Sequence, residues 1–457
     1  FSSTENYYIK GVKDMKKILS TVLALSVAAT LVAAPKAKGD ITINLWSFTD
    51  EIPTMVNKYL ETHPGIKVNT TIIATTDGAY QPALDQALQN GGKDAPDIYA
   101  AEAAFILKYS KGDMQDYAMT YKDLGIKDAD VKKAEIAPYT IDIGSNSKGQ
   151  LNALGYQTTG GCFIYRRSLA KKVLGTDDPK KVNEAIGGGS GNWTKFWDVA
   201  AKMSDNGISM VSGDGDIWHA YENSSDKGWI VDDKLYIDPK REAFLDASKM
   251  LTDKGYSNKT QDWSDAWFAD MKDTGAKPCF GFFGPAWLIN YTLAPNCGGS
   301  KAGEGTYGDW AVCNSPIGFF WGGTWILANK KMDKAKKAAV KDIIQWITVD
   351  TTNDGLLYNW ANGTLYGAGG TKDTVASGVV MAKSDGKVAF LGGQNMFDYF
   401  VPANKYANGK NLTQYDESIN QIWRDQVRAY ANGQKSKADA IKDFKQTVSD
   451  KLGIDIE

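Results

Sequence analysis

The chain has 457 residues, 23% of them charged, and a formal net charge of −2. With Lys, Asp and Glu spread evenly, that balance gives no reason to propose nucleic acid or an anionic membrane surface as a partner. Only two histidines are present, His63 and His219, which excludes a multi-histidine metal centre and leaves a histidine-based catalytic triad just those two positions.

Residues 1–14 read as upstream sequence, because a processing signal begins at Met15. The pair Lys16-Lys17, the apolar run Ile18 to Ala33 and the small residues Ala33-Ala34 together make 15–39 an export signal. The run is shorter and richer in Ala, Ser and Thr than a spanning helix of about 20 apolar residues. Leu31-Val32-Ala33 resembles the start of a bacterial lipoprotein signal, but Ala34 stands where the lipid-bearing cysteine would be. Two readings stay open: ordinary cleavage and release, or replacement of a native lipidated cysteine. About 418 residues follow Gly39, more than one core usually organises, so two lobes are expected.

Ile41, Ile43 and Leu45 alternate with polar residues as a half-buried strand would, and the strand empties into Trp46-Ser-Phe-Thr-Asp-Glu51. Strand ends of this kind hold ligands in open α/β sheets. Pro53 near a helix start, then Met55, Val56, Tyr59 and Leu60 at helical spacing, predict a helix stopped by Pro64-Gly65, with His63 against its last carbonyls. A strand over 66–72, a helix over 80–89 ending at Asn90-Gly-Gly92, and a short strand over 96–100 complete a βαβαβ succession. This predicts a parallel, right-handed, doubly wound sheet. Glu102 then stands at a strand end beside Trp46 and Glu51, where it would meet a ligand or cap the next helix.

Leu151 to Tyr165 carries glycines inside a strand-like run and reads as a crossover between lobes. A second α/β unit follows, with helices over 167–173 and 193–203. Gly213-Asp-Gly-Asp-Ile-Trp218 is superficially a calcium loop without the distal Glu, so the carboxylate of Asp216 is assigned to ligand hydroxyls instead. Three aromatic stretches come next: Asp262-Trp263-Ser-Asp-Ala-Trp-Phe268, Phe280-Gly-Phe-Phe-Gly-Pro-Ala-Trp287 and Phe319-Phe-Trp-Gly-Gly-Thr-Trp325. Glycine beside aromatic rings lets backbone approach a flat ligand closely, whereas a packed core more often uses Leu, Ile and Val. Residues 326–329 read as a strand returning to the first lobe, and 335–349 as a helix with Val340, Ile343, Ile344 and Ile347 inward. Leu391 to Phe397 forms another Gly-flanked polar and aromatic loop, and the helices over 416–431 and 436–452 read as structural. Cys162, Cys279, Cys297 and Cys313 fit no zinc spacing and are either buried free thiols or include one disulfide among the last three.

In order along the chain, these elements resemble the extracellular carbohydrate-binding proteins of ABC importers, the family 1 solute-binding proteins to which the maltose-binding protein belongs. The stretches that carry the resemblance are Trp46 to Glu51, Asp97-Ile-Tyr with Glu102, Gly155 to Tyr165, Phe283-Gly-Pro-Ala-Trp287, Gly322-Gly-Thr-Trp-Ile326, and the helices from Gln414-Tyr-Asp to Tyr430-Ala-Asn-Gly433. The resemblance implies an α/β, two-lobed periplasmic-binding-protein-like fold, a ligand cleft between the lobes and three crossover segments. By analogy 40–158 with 326–370 would form the N-terminal lobe, and 159–325 with 371–457 the C-terminal lobe. It further implies a monomer without cofactor or metal, working at the outer face of the cytoplasmic membrane, lipid-anchored in its native form, and handing oligosaccharide to membrane permease subunits.

For stacking on sugar faces the expected residues are Trp46, Phe48, Trp263, Trp267, Trp287 and Trp321. For hydroxyls they are Glu51, Asp77, Glu102, Asp216, Gln394 and Asn395, with Tyr156, Gln157 and Trp325 near the hinge. The Trp46 to Glu51 loop is most similar to relatives that take up β-1,4-linked plant oligosaccharides, which ranks xylo-oligosaccharides first, cello-oligosaccharides second and maltodextrins third. A glycosidase would also line an aromatic cleft with carboxylates, but no pair here has a context that assigns acid and nucleophile.

Overall fold

The computed structural model describes residues 40–75 and 78–456; the export-signal segment and Asp77 lie outside them. Eleven strands occur among the described residues: β1 (Ile41–Ser47), β2 (Ile66–Ile72), β3 (Ile98–Glu102), β4 (Ala153–Gly155), β5 (Cys162–Arg166), β6 (Ser209–Val211), β7 (Ile230–Val231), β8 (Lys234–Leu235), β9 (Cys279–Gly284), β10 (Trp310–Cys313) and β11 (Thr324–Ala328). They form two main sheets, ordered β2-β1-β3-β11-β4 and β10-β5-β9-β6, plus the small hairpin β7-β8. Each main sheet is the centre of one lobe.

The first sheet begins as the βαβαβ pattern predicts. β1 pairs in parallel with β2 and β3, and the intervening helices are Glu51–Leu60 and Tyr80–Asn90. It is not wholly parallel, because β11 returns from the far lobe and pairs antiparallel with both β3 and β4. Alternating side chains feed opposite faces. Ile43, Leu45, Ile98 and Ala100 pack with Met55, Val340 and Ile344, while Tyr99 and Ala101 pack with Tyr80, Leu84 and Tyr109. The inward set of helix Lys337–Thr348 is buried as its spacing requires, and His63 Nδ1 lies 2.8 Å from Tyr59 O at the first helix's end.

The half-buried reading of β1 needs correction. β1 is an inner strand, so even its polar Asn44 is buried, the side-chain amide donating to Lys93 O (2.7 Å) and Ala95 O (3.0 Å). The next strand locks onto the same point: Asn44 N–H donates to Asp97 Oδ2 (2.8 Å), and Lys336 Nζ reaches that oxygen at 2.8 Å. Asp97→Ala would strand a buried amide and a lysine together, an expected loss of about 3 kcal/mol, read by urea unfolding.

In the second sheet β5 pairs antiparallel with β9 and β10, and β9 pairs in parallel with β6. Phe163, Tyr165, Phe280 and Ala311 face a core built with Phe196, Trp423 and Phe444, while Cys162, Ile164 and Phe282 face the other side. The four cysteines are free and buried, which resolves the open alternative against a disulfide. Two segments link the sheets, 156–161 and 314–323, and 373–376 lies beside the first of them through the Gln157–Val375 bridge and the bond from Thr374 Oγ1 to Thr158 O (2.7 Å).

Candidate functional site: the cleft between the lobes

The carboxyl ends of β1, β3 and β9 and the amino end of β11 all open toward the linking segments. Side chains just beyond those ends therefore meet although they are far apart in sequence. Trp287 follows β9 across Pro285, and Trp321 precedes β11 across Gly322 and Gly323. The two rings stand edge to face at 4.9 Å, and Trp287 Nε1–H donates to Trp321 O (2.9 Å). Trp263 lies nearly parallel to Trp287, with centroids 6.3 Å apart and planes 8° apart, and meets Trp321 edge-on at 6.0 Å. All three indoles are partly exposed. Tyr291, 51% exposed on the π-helical turn Ile289–Leu293, extends this wall, 6.5 Å from Trp263. His219 stacks on Trp321 at 4.8 Å, and its Nδ1 is 3.0 Å from Glu222 Oε2.

Gly322 joins this wall to the first lobe. Its φ of +80° favours glycine, and a Cβ there would lie 3.4 Å from Trp287 Nε1 and 3.6 Å from Glu102 Oε1. The Glu102 carboxylate, at the end of β3, therefore borders the tryptophan wall of the other lobe. Its Oε2 accepts from Ala104 N–H (2.7 Å), so the capping role is real. Burial nonetheless raises its pKa to about 7, with Glu417 of the second lobe adding repulsion.

A second carboxyl group site forms where β1 and β4 end. Glu51 opens helix Glu51–Leu60, and the hydroxyl of Tyr156 donates to it. Gln157 Nε2–H donates to Asp373 Oδ2 (2.6 Å), which also accepts from Trp360 Nε1–H (3.2 Å). Burial raises Glu51 to about 8, helped by Asp373 and Asp50, and raises Asp373 to about 6. Among the described residues no Lys or Arg forms an ion pair with Glu51, Glu102 or Asp373. Asn290 on the π-helical turn donates to Lys372 O, joining this site to the wall.

Several expected site residues serve the fold instead. Trp267 and Trp325 are buried: Trp267 Nε1–H donates to Asp216 Oδ1 (3.0 Å) and Trp325 Nε1–H to Thr140 O (3.0 Å). Asp216 is also buried, its Oδ2 accepting from the amides of Ser212 (2.9 Å) and Gly213 (2.8 Å), so it ties a strand end to a helix start rather than facing hydroxyls. Gln394 donates to and accepts from the backbone of Val312 at 2.8 Å each, completing the edge strand β10, and Asn395 Oδ1 accepts from Gly386 and Phe397 in its own turn. Phe48 packs edge-on against Tyr80 and Phe105 and Trp46 rests on the same cluster, but both rings stay partly exposed, as the three wall indoles do, so they remain at the end of β1 beside Glu51. Tyr156 is fully buried, with only its hydroxyl spent on Glu51. A separate depression of about 670 Å3 on the outer side of the first lobe, lined by Tyr59, His63, Trp346 and Asp350, involves none of these residues.

Sequence reasoning missed Asp373, Trp360, Tyr366 and Tyr291. Asp373 sits in a stretch without any periodic signal, and its partners are more than two hundred residues away in one case. Tyr366 lies near Glu51 and Asp50: burial first, then their charges, push its hydroxyl pKa up, and this exposed ring could have been flagged by the aromatic-beside-glycine pattern of Tyr366-Gly367.

The model of the bacterial extracellular solute-binding proteins matches residues 46–354, well over half of the chain. The chain belongs to that family. No curated protein sequence matches it. In fold this solute-binding protein is similar to a crystal structure described as an extracellular solute-binding protein family 1, with a TM-score of 0.72 at 19% identity, covering 90% of this chain and 99% of that one. It is also similar to the galacto-N-biose-/lacto-N-biose I-binding protein of an ABC transporter from Bifidobacterium longum, with a TM-score of 0.67 at 16% identity, covering 92% and 100%. The sugar-binding protein MalE from Xanthomonas citri superposes with a TM-score of 0.62 at 15% identity, covering 90% and 96%. Among the described residues no helix is long and apolar enough to cross a membrane, and no group of His, Cys, Asp and Glu is placed to hold a metal ion.

Proposed function

We propose that this protein binds oligosaccharides outside the cell and delivers them to the permease of an ABC importer, taking β-1,4-linked plant oligosaccharides, xylo-oligosaccharides before cello-oligosaccharides. The observation that carries the reading is the partly exposed wall of Trp263, Trp287 and Trp321 set against Glu102 of the opposite lobe. A pyranose offers an apolar face and a rim of hydroxyls. Covering some 50 Å2 of that face on one indole contributes on the order of 1 kcal/mol at roughly 25 cal/mol per Å2, and a charge-assisted bond to a carboxylate contributes about 1.5 to 3 kcal/mol. Of the expected ligand residues we retain Trp46, Phe48, Trp263, Trp287, Trp321, Glu51, Glu102 and Gln157, and add Asp373, Trp360, Tyr291 and Tyr366.

The similar folds support a sugar ligand: one is described in complex with lacto-N-biose and another with β-1,6-galactobiose. The likeness to MalE keeps a maltodextrin as the second reading. We assign 40–158 with 326–370 to one lobe and 159–325 with 371–457 to the other. Closure of the two on the sugar would be the signal a permease reads from a monomeric, lipid-tethered receptor.

Calorimetric titration of residues 40–457 against xylotetraose, cellotetraose and maltotetraose tests the reading. Micromolar or tighter binding to xylotetraose is expected; preference for maltotetraose transfers the assignment to α-linked sugars, and silence from all three removes the sugar. Release of shorter sugars on prolonged incubation would instead establish a hydrolase.

A further inference from the structure

Trp263 has a φ of +67°, a left-handed conformation that a bulky side chain rarely adopts. It occupies the third position of the turn Gln261 to Ser264, closed by Ser264 N–H donating to Gln261 O (3.2 Å), where glycine or asparagine is the usual residue. We propose that Asp262 and Arg424 form a clamp that holds this unfavourable turn, so that the Trp263 indole is presented to the bound sugar. Asp262 and Arg424 are thus positioning residues for a ring that does the contacting. The proposal rests on the oligosaccharide reading above.

The clamp is two-pronged. Arg424 Nη2 and Nη1 donate to Asp262 Oδ1 and Oδ2 at 2.5 and 3.2 Å, and Arg428 Nη2 stands 3.8 Å from Oδ1. A planar guanidinium matched to both carboxylate oxygens fixes orientation as well as position, which a lysine ammonium cannot do. The pair is largely withdrawn from water, with the Asp262 and Arg424 side chains 16% and 15% exposed. Burial alone would raise the Asp262 pKa, yet Arg424 and Arg428 outweigh it and hold the group at about 2.

The backbone around the clamp is shaped for it. A Cβ on Gly215 would lie 2.4 Å from Asp262 Oδ1 and 2.7 Å from Arg424 Nη2, so only glycine lets that helix start approach. On the other side of Trp263 the Ser264 hydroxyl accepts from Trp267 N–H (3.3 Å) and starts helix Asp265–Met271. Trp263 is therefore held from both neighbours, against its own backbone preference, in line with Trp287. Strain retained under such a scaffold is enriched at functional sites. Arg424 lies on helix Asp416–Ala431, whose amphipathic pattern gives no hint of a role in the cleft.

A double-mutant cycle tests this with whichever of the three tetrasaccharides the wild type binds best. Trp263→Ala should weaken binding about 30-fold and Arg424→Lys about 10-fold, whereas Arg424→Lys made in the Trp263→Ala background should cost less than about 2-fold more. Equal losses in both backgrounds, or no loss in the wild-type background, would overturn the clamp and leave the sugar reading standing. Asp262→Asn replaces Arg424→Lys in the cycle if that variant does not fold. The strain has its own readout: Trp263→Gly should melt above Trp263→Ala, since glycine alone is at ease at this φ. The reverse order would also overturn the proposal. If the wild type binds none of the three sugars, the functional reading falls and the clamp's role falls with it.

Discussion

Trp287→Ala weakens binding of the preferred tetrasaccharide by roughly 100-fold, close to 2.7 kcal/mol, in calorimetric titration, while the melting temperature falls by only a few degrees. The asymmetry follows from where the ring sits. Trp287 is partly exposed, stacked parallel to Trp263 and edge-on to Trp321, and its indole N–H is spent on Trp321 O. Removing it strips one wall of the cleft and lets Trp321 and Trp263 shift, but opens no sealed cavity. Trp325→Ala should show the opposite balance. That ring is buried beneath the same segment with its N–H on Thr140 O, so truncation costs about 3 to 5 kcal/mol of stability. A variant pair in which Trp287→Ala binds as well as wild type would move the ligand away from the tryptophan wall.

The sugar-free protein melts at a lower temperature at pH 8 than at pH 5. Glu51 is the largest single cause. Burial, then Asp373 and Asp50, raise its pKa from 4.5 to about 8 in the folded state. Below pH 4.5 both folded and unfolded chains hold the proton, and the group is neutral with respect to stability. Between 4.5 and 8 the unfolded chain releases it while the folded chain keeps it, so stability falls as pH rises. Asp373, raised to about 6 by burial, and Glu102, Asp216 and Asp416, each raised to about 7 by burial, act in the same direction. Asp262 acts in the opposite sense, but its stabilisation is lost only as pH falls from about 4 toward 2, outside this window. Allowing for the partial exposure of Glu51, its own share of the difference is about 2 to 3 kcal/mol, or on the order of 5 °C by differential scanning calorimetry. Glu51→Gln should flatten the slope; an unchanged slope would mean that Glu51 is ionised throughout.

On the proposed oligosaccharide reading these carboxyl groups also bear on binding. A carboxylate accepts from two sugar hydroxyls, whereas a protonated Glu51 can donate one bond. With Tyr156 already donating to Glu51, and Gln157 and Trp360 donating to Asp373, each group has a fixed orientation before a ligand arrives. Such prior ordering reduces the entropy lost on binding.

Much of the architecture was legible along the chain. The alternation of Ile41, Ile43 and Leu45, the helix spacing of Met55, Val56 and Tyr59, and the inward set Val340, Ile343, Ile344 and Ile347 are local periodicities, and local periodicity survives in one dimension. The glycine-flanked aromatics of 280–287 and 319–325 likewise marked where partly exposed indoles gather. They did not distinguish Trp321, which lines the cleft, from Trp325 four residues on, which is buried. The physical reason is that exposure depends on what packs against a ring, and for Trp325 that neighbour is Thr140, 185 residues away. Asp216 and Gln394 were misjudged for the same reason: a carboxylate or amide beyond a strand looks available until the backbone that satisfies it is in place.

The amino-acid sequence by itself determined two α/β units and the order of their elements, because propensity and hydrophobic period are set by neighbours within a few turns; the family followed from the resemblance of its ordered stretches and the match over residues 46–354. Only the tertiary structure decided which rings form the wall, that Glu102 reaches it through Gly322, that Asp373 joins Glu51, and that Arg424 grips the turn under Trp263. Those pairings are set by the crossing of distant segments, whose contacts leave no period in the chain.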